Sequence, residues 1–317
     1  MRSSILIPSE RRSAAVLSSA GSAPLHAWSR ADPLERYVAR MERGSTAAAS
    51  VRAVEGDSAR ERPDRLVTEE PMEIRVHGPG QDPEPLVVTM RTPGNDFDLA
   101  VGFCITEGVI DSASDVATVA YCLPEDGGVQ QYNVVTIRLR RPVDLAAHHR
   151  DFAANASCGL CGKATLEQVE IACGPVGPGP SVGCAVLVTL PKQLRQAQSV
   201  FDTTGGLHAA GCFGPDGELT ALREDVGRHN AVDKVVGHAA LQGRLPLADQ
   251  VLLVSGRVSF EIVQKAAVAG IPILCAVSAP SSLAVQAAER LGQTVVGFLR
   301  GDRFNVYTHP ERIDLES

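Results

Sequence analysis

The stretch Val251-Leu252-Leu253-Val254-Ser255 decides the fold, because it is an apolar run that stops at a serine followed by Gly256. Successive side chains of a strand face opposite sides of a sheet, so a strand without polar residues is buried on both faces. A second apolar run spans residues 271–277, and the residues between the runs have helical spacing at Ile262, Val263, Ala266 and Ala267. This order predicts an α/β fold with a mixed sheet and helices on both faces.

The same alternation extends from Glu218 to the end of the chain. It predicts a strand at 219–223, helices carrying Val232, Val235 and Ala239 and carrying Leu283, Ala287 and Leu291, and hairpin strands at 294–299 and 304–307. Upstream, residues 184–188 are predicted as a strand, a helix follows Pro191, and residues 203–210 are predicted as a loop with two glycines.

Three segments are predicted along the chain. Residues 1–62 lack bulky apolar side chains and are predicted as a disordered extension, within which Met41 is a candidate alternative start. Residues 63–156 predict a small α+β domain, with a hairpin at 72–76 and 86–90, a helix whose apolar stripe includes Cys104, and a strand at 133–139. Residues 157–317 are predicted as the α/β domain.

Composition excludes several classes of protein. The 317 residues are 44% hydrophobic and 21% charged, which is typical of a globular protein. A net charge of -7 argues against a nucleic-acid surface, and no apolar run approaches the roughly 20 residues of a membrane helix, so neither partner is expected. The eight cysteines are irregularly spaced, which fits reduced thiols in the cytoplasm.

A Cys-x-x-Cys motif, Ser157-Cys158-Gly159-Leu160-Cys161-Gly162-Lys163, is the main candidate for chemistry. Helix-forming residues follow it, so Cys158 and Cys161 are expected near a helix N-terminus, where free amides favour thiolate. A zinc site would need a second ligand pair, and a thioredoxin-like redox pair normally follows an apolar strand. Neither accompanies this motif in the expected form, and a thiol that carries a sulfur atom is the third alternative.

Two loops of the α/β domain place glycine and arginine at predicted helix N-termini. Residues 223–230 contain Gly227 and Arg228, and residues 255–259 contain Gly256 and Arg257. Free amides, the helix dipole and a guanidinium suit phosphate, although neither loop has the spacing of a P-loop or of a dinucleotide fingerprint. His208 could equally be a core histidine or a functional residue.

Five ordered motifs together resemble the formate dehydrogenase accessory sulfurtransferase (FdhD) family. They are SCGLCGK (157–163), TGGLHAA (204–210), REDVGRHNAVDKV (223–235), VSGRVSFE (254–261) and GFLRGDRFNVY (297–307). The resemblance covers about residues 66–313. It implies a cytoplasmic sulfur carrier that takes sulfane sulfur from a cysteine desulfurase. The sulfur passes to the molybdenum cofactor, bis-molybdopterin guanine dinucleotide, before insertion into formate dehydrogenase, the client.

The resemblance also implies residue roles. The persulfide falls on Cys158 with Cys161 as second thiol, no permanent metal is expected, and a homodimer is expected. The cofactor segment falls on Phe298, Leu299, Arg300, Gly301, Asp302 and Arg303, and either Asp302 or Asp225 could read guanine amines. The C-terminal domain is expected to be cytidine-deaminase-like in fold, although Ala209 and Ala210 follow His208 where a deaminase needs its glutamate. A cofactor-binding chaperone and a thiol-disulfide oxidoreductase are the alternatives.

Overall fold

The structure is a computed structural model that describes residues 44–122, 132–145 and 174–315, together with the backbone of Ser4–Leu6. Its strands are β1 (Ser4–Leu6), β2 (Thr46–Glu55), β3 (Ser58–Val67), β4 (Glu70–His77), β5 (Glu84–Arg91), β6 (Val116–Tyr121), β7 (Val134–Leu139), β8 (Val182–Gly183), β9 (His208–Phe213), β10 (Leu219–Asp225), β11 (Val251–Val254), β12 (Ile273–Ala276), β13 (Thr294–Arg300), β14 (Arg303–Thr308) and β15 (Ile313–Asp314). Its α-helices are α1 (Asp96–Thr106), α2 (Cys184–Leu187), α3 (Leu190–Ala197), α4 (Ser199–Thr204), α5 (Arg228–Leu241), α6 (Phe260–Val268) and α7 (Ser282–Leu291).

The predicted mixed sheet is confirmed in the C-terminal half, where six strands lie in the order β10-β9-β11-β12-β13-β14. β11, β12 and β13 are parallel to one another, and the other neighbours are antiparallel. Both faces are covered, because Leu252 and Val254 pack in the core on the α5, α6 and α7 side, whereas Val251 and Leu253 pack in the core that contains Leu187 and Leu194. The all-apolar sequence of β11 therefore results from burial on two sides.

The N-terminal half forms a five-stranded sheet in the order β1-β6-β7-β4-β5, and α1 connects it to the second half. α1 and α5 touch backbone to backbone: a Cβ at Gly102 would lie 1.8 Å from the Asp233 carbonyl oxygen, and one at Gly237 would lie 1.8 Å from that of Asp98. One apolar cluster runs from Met72 to Leu252 across this contact. The two halves therefore share a core, and the predicted boundary at residues 156 and 157 lies outside the described residues.

A layer of buried polar side chains lies beneath this helix contact. Lys265 Nζ is 3.0 Å from Asp233 Oδ1 and 2.7 Å from Glu107 Oε1. Thr106 donates its hydroxyl to Asp233 at 2.7 Å. A second ion pair joins Lys234 and Asp225. We use the name buried polar layer for Thr92, Thr106, Glu107, Asp225, Asp233, Lys234 and Lys265. Each charge is paired and hydrogen-bonded, which is the condition for burying it without a large penalty.

Residues 46–62 differ from the disordered extension that the sequence predicts. β2 and β3 pair in register from Thr46 opposite Val67 to Glu55 opposite Ser58, and the turn contains Gly56 at φ 58°. Most of the hairpin is exposed on both faces, so it lacks the apolar alternation by which a half-buried strand is recognised. The rest of the predicted extension lies outside the described residues, apart from Ser4–Leu6.

Two further elements differ from the sequence predictions. Residues 184–188 are predicted as a strand, but Cys184–Leu187 is a short helix whose buried side chain is Leu187. The predicted loop at 203–210 gives way at its end to β9, which lies between β10 and β11. Its alanines and glycine have low β-propensity, and the strand forms because it pairs on both sides.

Candidate functional site

The carboxyl edge of the second sheet brings several loops together. Asp225 at the end of β10 lies opposite His208 at the start of β9. Ser255, just after β11, donates its backbone N–H to the Ala209 carbonyl at 2.9 Å, and its hydroxyl accepts the Ala209 N–H at 2.8 Å. The parallel strands β12 and β13 end at the same edge. Such an edge is where α/β sheets bind ligands.

Asp225 fixes the loop that leads into α5. The carboxylate is fully buried and lies 2.7 Å from Lys234 Nζ. It accepts backbone N–H groups from Thr92 at 3.2 Å and from Gly227 at 2.8 Å. Lys234 also donates to the Thr92 carbonyl at 2.9 Å, which ties the loop to the N-terminal half. The expectation that Asp225 reads guanine amines is therefore wrong, because its oxygens face these internal donors.

His229 joins the first turns of α5 and α6. Its Nε2 lies 3.0 Å from Glu261 Oε2 and 3.1 Å from Ser259 Oγ, and Ser259 donates to Glu261 at 3.1 Å. The hydrogen bond from His229 is the main reason that the pKa of Glu261 is lowered. Both contacts use the same ring nitrogen, so the arrangement is not a catalytic triad, in which serine and carboxylate bind opposite nitrogens. We interpret it as a clamp that positions the two loops.

Arg228 and His208 meet beside Gly256. A Cβ at Gly256 would lie 3.4 Å from His208 Nδ1 and 3.9 Å from Arg228 Cδ. The Arg228 Nε atom is buried and has no hydrogen-bond partner within the described chain. Burial, followed by the positive charge of Arg228 and then by His229, lowers the pKa of His208, so its imidazole is neutral near pH 7. Gly256 is therefore flanked by a cation with an unused donor and by a neutral imidazole.

Arg257 extends the cationic character of the edge. Its side chain is exposed, and it forms no ion pair with any residue that the structure describes. The next residue, Val258, forms a parallel bridge with Pro280, and its carbonyl accepts the Ser281 N–H at 2.9 Å. These contacts place the Arg257 loop beside the loop that follows β12.

The predicted cofactor segment spans the end of β13 and the turn into β14. Phe298 has a left-handed φ of 53°, donates its N–H to the Ser278 carbonyl at 3.1 Å and leaves 41% of its surface exposed. Arg300 donates to the Val277 carbonyl at 2.6 Å and is otherwise exposed. Asp302 and Arg303 are exposed at the turn, whereas Leu299 is buried in the core on the α2 and α3 face. Leu299 therefore supports this segment from below.

The two predicted catalytic thiols, Cys158 and Cys161, lie outside the described residues. Burial raises the pKa of Cys212 and Cys275 to about 12, and it also raises the pKa of Cys104, so all three stay protonated. The prediction that Cys104 is a core residue is confirmed. Within residues 44–122, 132–145 and 174–315, no group of metal-ligating side chains could hold a metal ion.

Sequence reasoning missed the polar contacts that shape the site, namely those of Thr92, Lys234, Ser259 and Glu261. A signal for one of them was present, because Asp233 and Lys234 interrupt an apolar helical face between Val232 and Val235. Charged residues at core positions of a helix indicate a paired polar layer, since unpaired charges are rarely buried. The contact between His229 and Glu261 has no comparable signal.

The fold and the site define an α/β protein with arginine side chains on the loops at its carboxyl edge. The chain belongs to the FdhD/NarQ family, whose sequence profile matches residues 67–314. A protein of Mycolicibacterium paratuberculosis described as sulfur carrier protein FdhD is 52% identical over 80% of this chain and 93% of its own. One of Mycobacterium tuberculosis with the same description is 51% identical over 85% of this chain and 99% of its own.

A solved structure supports the fold. It is that of a candidate formate dehydrogenase accessory protein from Desulfotalea psychrophila, with a TM-score of 0.64 at 23% identity, covering 85% of this chain and 99% of its own. The expected likeness to cytidine deaminases stays a prediction. The helices that the structure describes include none long and apolar enough to cross a membrane.

Proposed function

We propose that this protein is a sulfur carrier that acts as a sulfurtransferase in the maturation of formate dehydrogenase. In this proposal Cys158 accepts sulfane sulfur from a cysteine desulfurase, and Cys161 is the second thiol. The acceptor is the molybdenum cofactor, bis-molybdopterin guanine dinucleotide, which is bound as substrate and not as a resident group. The proposal includes the cytoplasm as compartment, a homodimer as working form and no permanent metal.

The observation that carries the proposal is the similarity to proteins described as sulfur carriers. Two of them share about half of their residues with this chain over at least 80% of its length. The charge distribution adds separate support. The protein has a net charge of -7, yet Arg228, Arg257, Arg300 and Arg303 lie on loops at or next to the carboxyl edge. A polyanionic substrate would explain why an acidic protein places cations there.

The carrier is loaded by transfer of one sulfur atom from the persulfide of the donor cysteine to Cys158. The Cys158 thiolate attacks the outer sulfur of the persulfide on the desulfurase. A new S–S bond forms on Cys158, the S–S bond of the donor breaks, and the donor cysteine leaves as a thiolate. No external oxidant or reductant is needed. A thiolate at Cys158 is favoured if the residue lies at a helix N-terminus, as the sequence predicts.

The described residues suit a guanine dinucleotide in chemical terms. Guanidinium groups bind phosphate oxygens in bidentate fashion, which is the role we assign to Arg300 and Arg303, with Arg228 and Arg257 on the adjoining loops. The exposed ring of Phe298 offers a surface on which a planar base can stack. Asp302 is the carboxylate that remains for the guanine amines.

The experiment that tests this proposal is intact-mass measurement after incubation with a cysteine desulfurase and cysteine. The wild type should gain the mass of one sulfur atom, and Cys158→Ala should gain none and should fail to support formate dehydrogenase maturation. Cys184→Ala, a half-buried thiol outside the motif, is the matched control and should gain sulfur normally.

Other outcomes identify the alternatives. A cofactor-binding chaperone predicts that maturation survives in Cys158→Ala. A thiol-disulfide oxidoreductase predicts a reversible Cys158–Cys161 disulfide and no gain of sulfur. A wild-type protein that never gains sulfur from a competent donor would refute the carrier function.

A further inference from the structure

The histidine at the start of β9 lies within a cluster drawn from three loops. His208 Nδ1 and Arg228 Cδ both lie beside Gly256, where a Cβ would be 3.4 Å and 3.9 Å from them. These residues come from the start of β9, the start of α5 and the loop after β11. Their convergence depends on the antiparallel insertion of β9, which places His208 beside the ends of β10 and β11.

Around His208, the nearby negative charge is already bound by other groups, whereas the nearby positive charge of Arg228 is not fully hydrogen-bonded. Three titratable groups face it, namely Arg228, His229 and Asp225. The Asp225 carboxylate is already held by Lys234 and by backbone N–H groups, and His229 is bound to Glu261. Arg228 keeps a buried Nε without a partner in the described chain. An anion beside Gly256 would therefore meet a guanidinium whose Nε has no hydrogen-bond partner among the residues that the structure describes.

We propose that His208 is a proton-linked ligand of this anion: its imidazole takes up a proton when a phosphate group binds beside Arg228 and Gly256. The inference rests on the proposed function, which supplies a nucleoside diphosphate group as the ligand. Nothing in that function requires the histidine to change its charge. The proton makes His208 a second cationic donor to the phosphate, and it is released again when the ligand leaves.

The direction of the pH dependence follows from the electrostatics. In the ligand-free protein, burial and then the Arg228 charge lower the pKa of His208 from its ordinary 6.5. A bound anion offsets the Arg228 charge and raises that pKa, so protonation and binding favour each other. Affinity should therefore increase as pH falls from about 8 to about 6, by at most about tenfold per pH unit, because only one proton is linked.

Titration calorimetry with GDP as the probe tests the inference. Binding heats measured near pH 7 in two buffers of different ionisation enthalpy give the number of protons exchanged. The wild type should take up a fraction of a proton, and His208→Asn should lose this uptake and the pH dependence. The terminal phosphate of GDP, with a pKa of about 6, would release a proton when bound as a dianion, so its contribution has the opposite sign.

Two controls assign the proton to one histidine. His238 also has a pKa lowered by burial, but it lies in the last turn of α5, so His238→Asn should keep the uptake. His229→Gln is expected to bind GDP more weakly, because His229 positions the loop that carries Arg228, so it is compared only by the number of protons taken up per bound GDP. Loss of the uptake in His229→Gln but not in His208→Asn would assign the proton to His229 and overturn the inference. His208→Gln provides a second variant if His208→Asn does not fold.

Two different calorimetric results separate the role of His208 from the proposed function. GDP that binds to the wild type with equal heats in both buffers, or with an affinity that does not increase as pH falls, overturns only the role of His208. A wild-type protein that binds no GDP between about pH 6 and 8 overturns the proposed ligand, and this inference with it.

Discussion

The buried polar layer and the carboxyl edge both include side chains from residues 223–234, yet they differ in how their charges are used. In the buried polar layer Asp225 and Lys234 are almost inaccessible and point at each other. At the carboxyl edge, Arg228 keeps a buried Nε without a hydrogen bond to any residue that the structure describes. Charges that are paired inside the protein hold the fold, and charges that are left unpaired at an edge are available to a ligand.

The two regions are also mechanically connected. Asp225 accepts the Gly227 N–H at 2.8 Å, and Gly227 is the residue that precedes α5. The turn that presents Arg228 is therefore fixed by the ion pair below it. Substitutions in the buried polar layer should lower stability, whereas substitutions at the edge should lower ligand affinity, and the following predictions test this separation.

The largest effect is expected from breaking the buried ion pair. Lys234→Met leaves the Asp225 carboxylate without its cation in a buried position, which should reduce the free energy of unfolding by about 3–5 kcal/mol. Arg257→Ala removes an exposed charge and should change stability by less than about 0.5 kcal/mol. Urea unfolding followed by circular dichroism measures both. A loss below about 1 kcal/mol in Lys234→Met would show that the pair does not support the fold.

The next largest effect on stability is expected from a glycine-to-alanine substitution in the α1–α5 contact, compared with the same substitution at the carboxyl edge. In Gly102→Ala the new Cβ would lie 1.8 Å from the Asp233 carbonyl oxygen, so α1 and α5 must move apart. We expect a loss of about 1–3 kcal/mol in unfolding free energy. In Gly256→Ala the nearest atom is His208 Nδ1 at 3.4 Å, an ordinary contact, so stability should be nearly unchanged.

In GDP binding the two variants should show the opposite order, with the larger loss of affinity in Gly256→Ala. Gly256→Ala fills the space between His208 and Arg228 and should weaken GDP binding, which isothermal calorimetry measures. Gly102→Ala should bind GDP with wild-type affinity at temperatures where it remains folded. Equal binding by Gly256→Ala and the wild type would place the phosphate elsewhere.

The smallest effect is expected from the cations at the β13–β14 turn. The Arg300→Ala, Arg303→Ala double variant should weaken GDP binding by about tenfold, because charge-assisted hydrogen bonds to phosphate are lost at an exposed site. Arg244→Ala is the matched control, because Arg244 is also exposed but precedes β11 at the opposite edge of the sheet. An unchanged affinity in the double variant, or an equal loss in Arg244→Ala, would contradict the assignment.

Sequence patterns predicted the strands and helices whose buried positions recur at regular spacing along the chain. The apolar run at Val251 and the helical stripe at Ile262 were sufficient for β11 and α6, because each position faces a core in regular order. The arginine loops at the ends of β10 and β11 were also predicted. β9 was missed because its small residues carry no strong preference, and the β2–β3 hairpin was missed because neither of its faces is buried.

The sequence by itself determined the α/β class, the family, the Cys-x-x-Cys motif and the presence of arginine and glycine at two helix starts. These features depend on local composition, spacing and order along the chain. The tertiary structure decided which charges are internal and which face outward: Asp225 turns toward Lys234, Leu299 turns into the core, and His208 reaches Arg228. Such partners are distant in sequence, and only the packing of strands and helices determines which polar atoms remain without one.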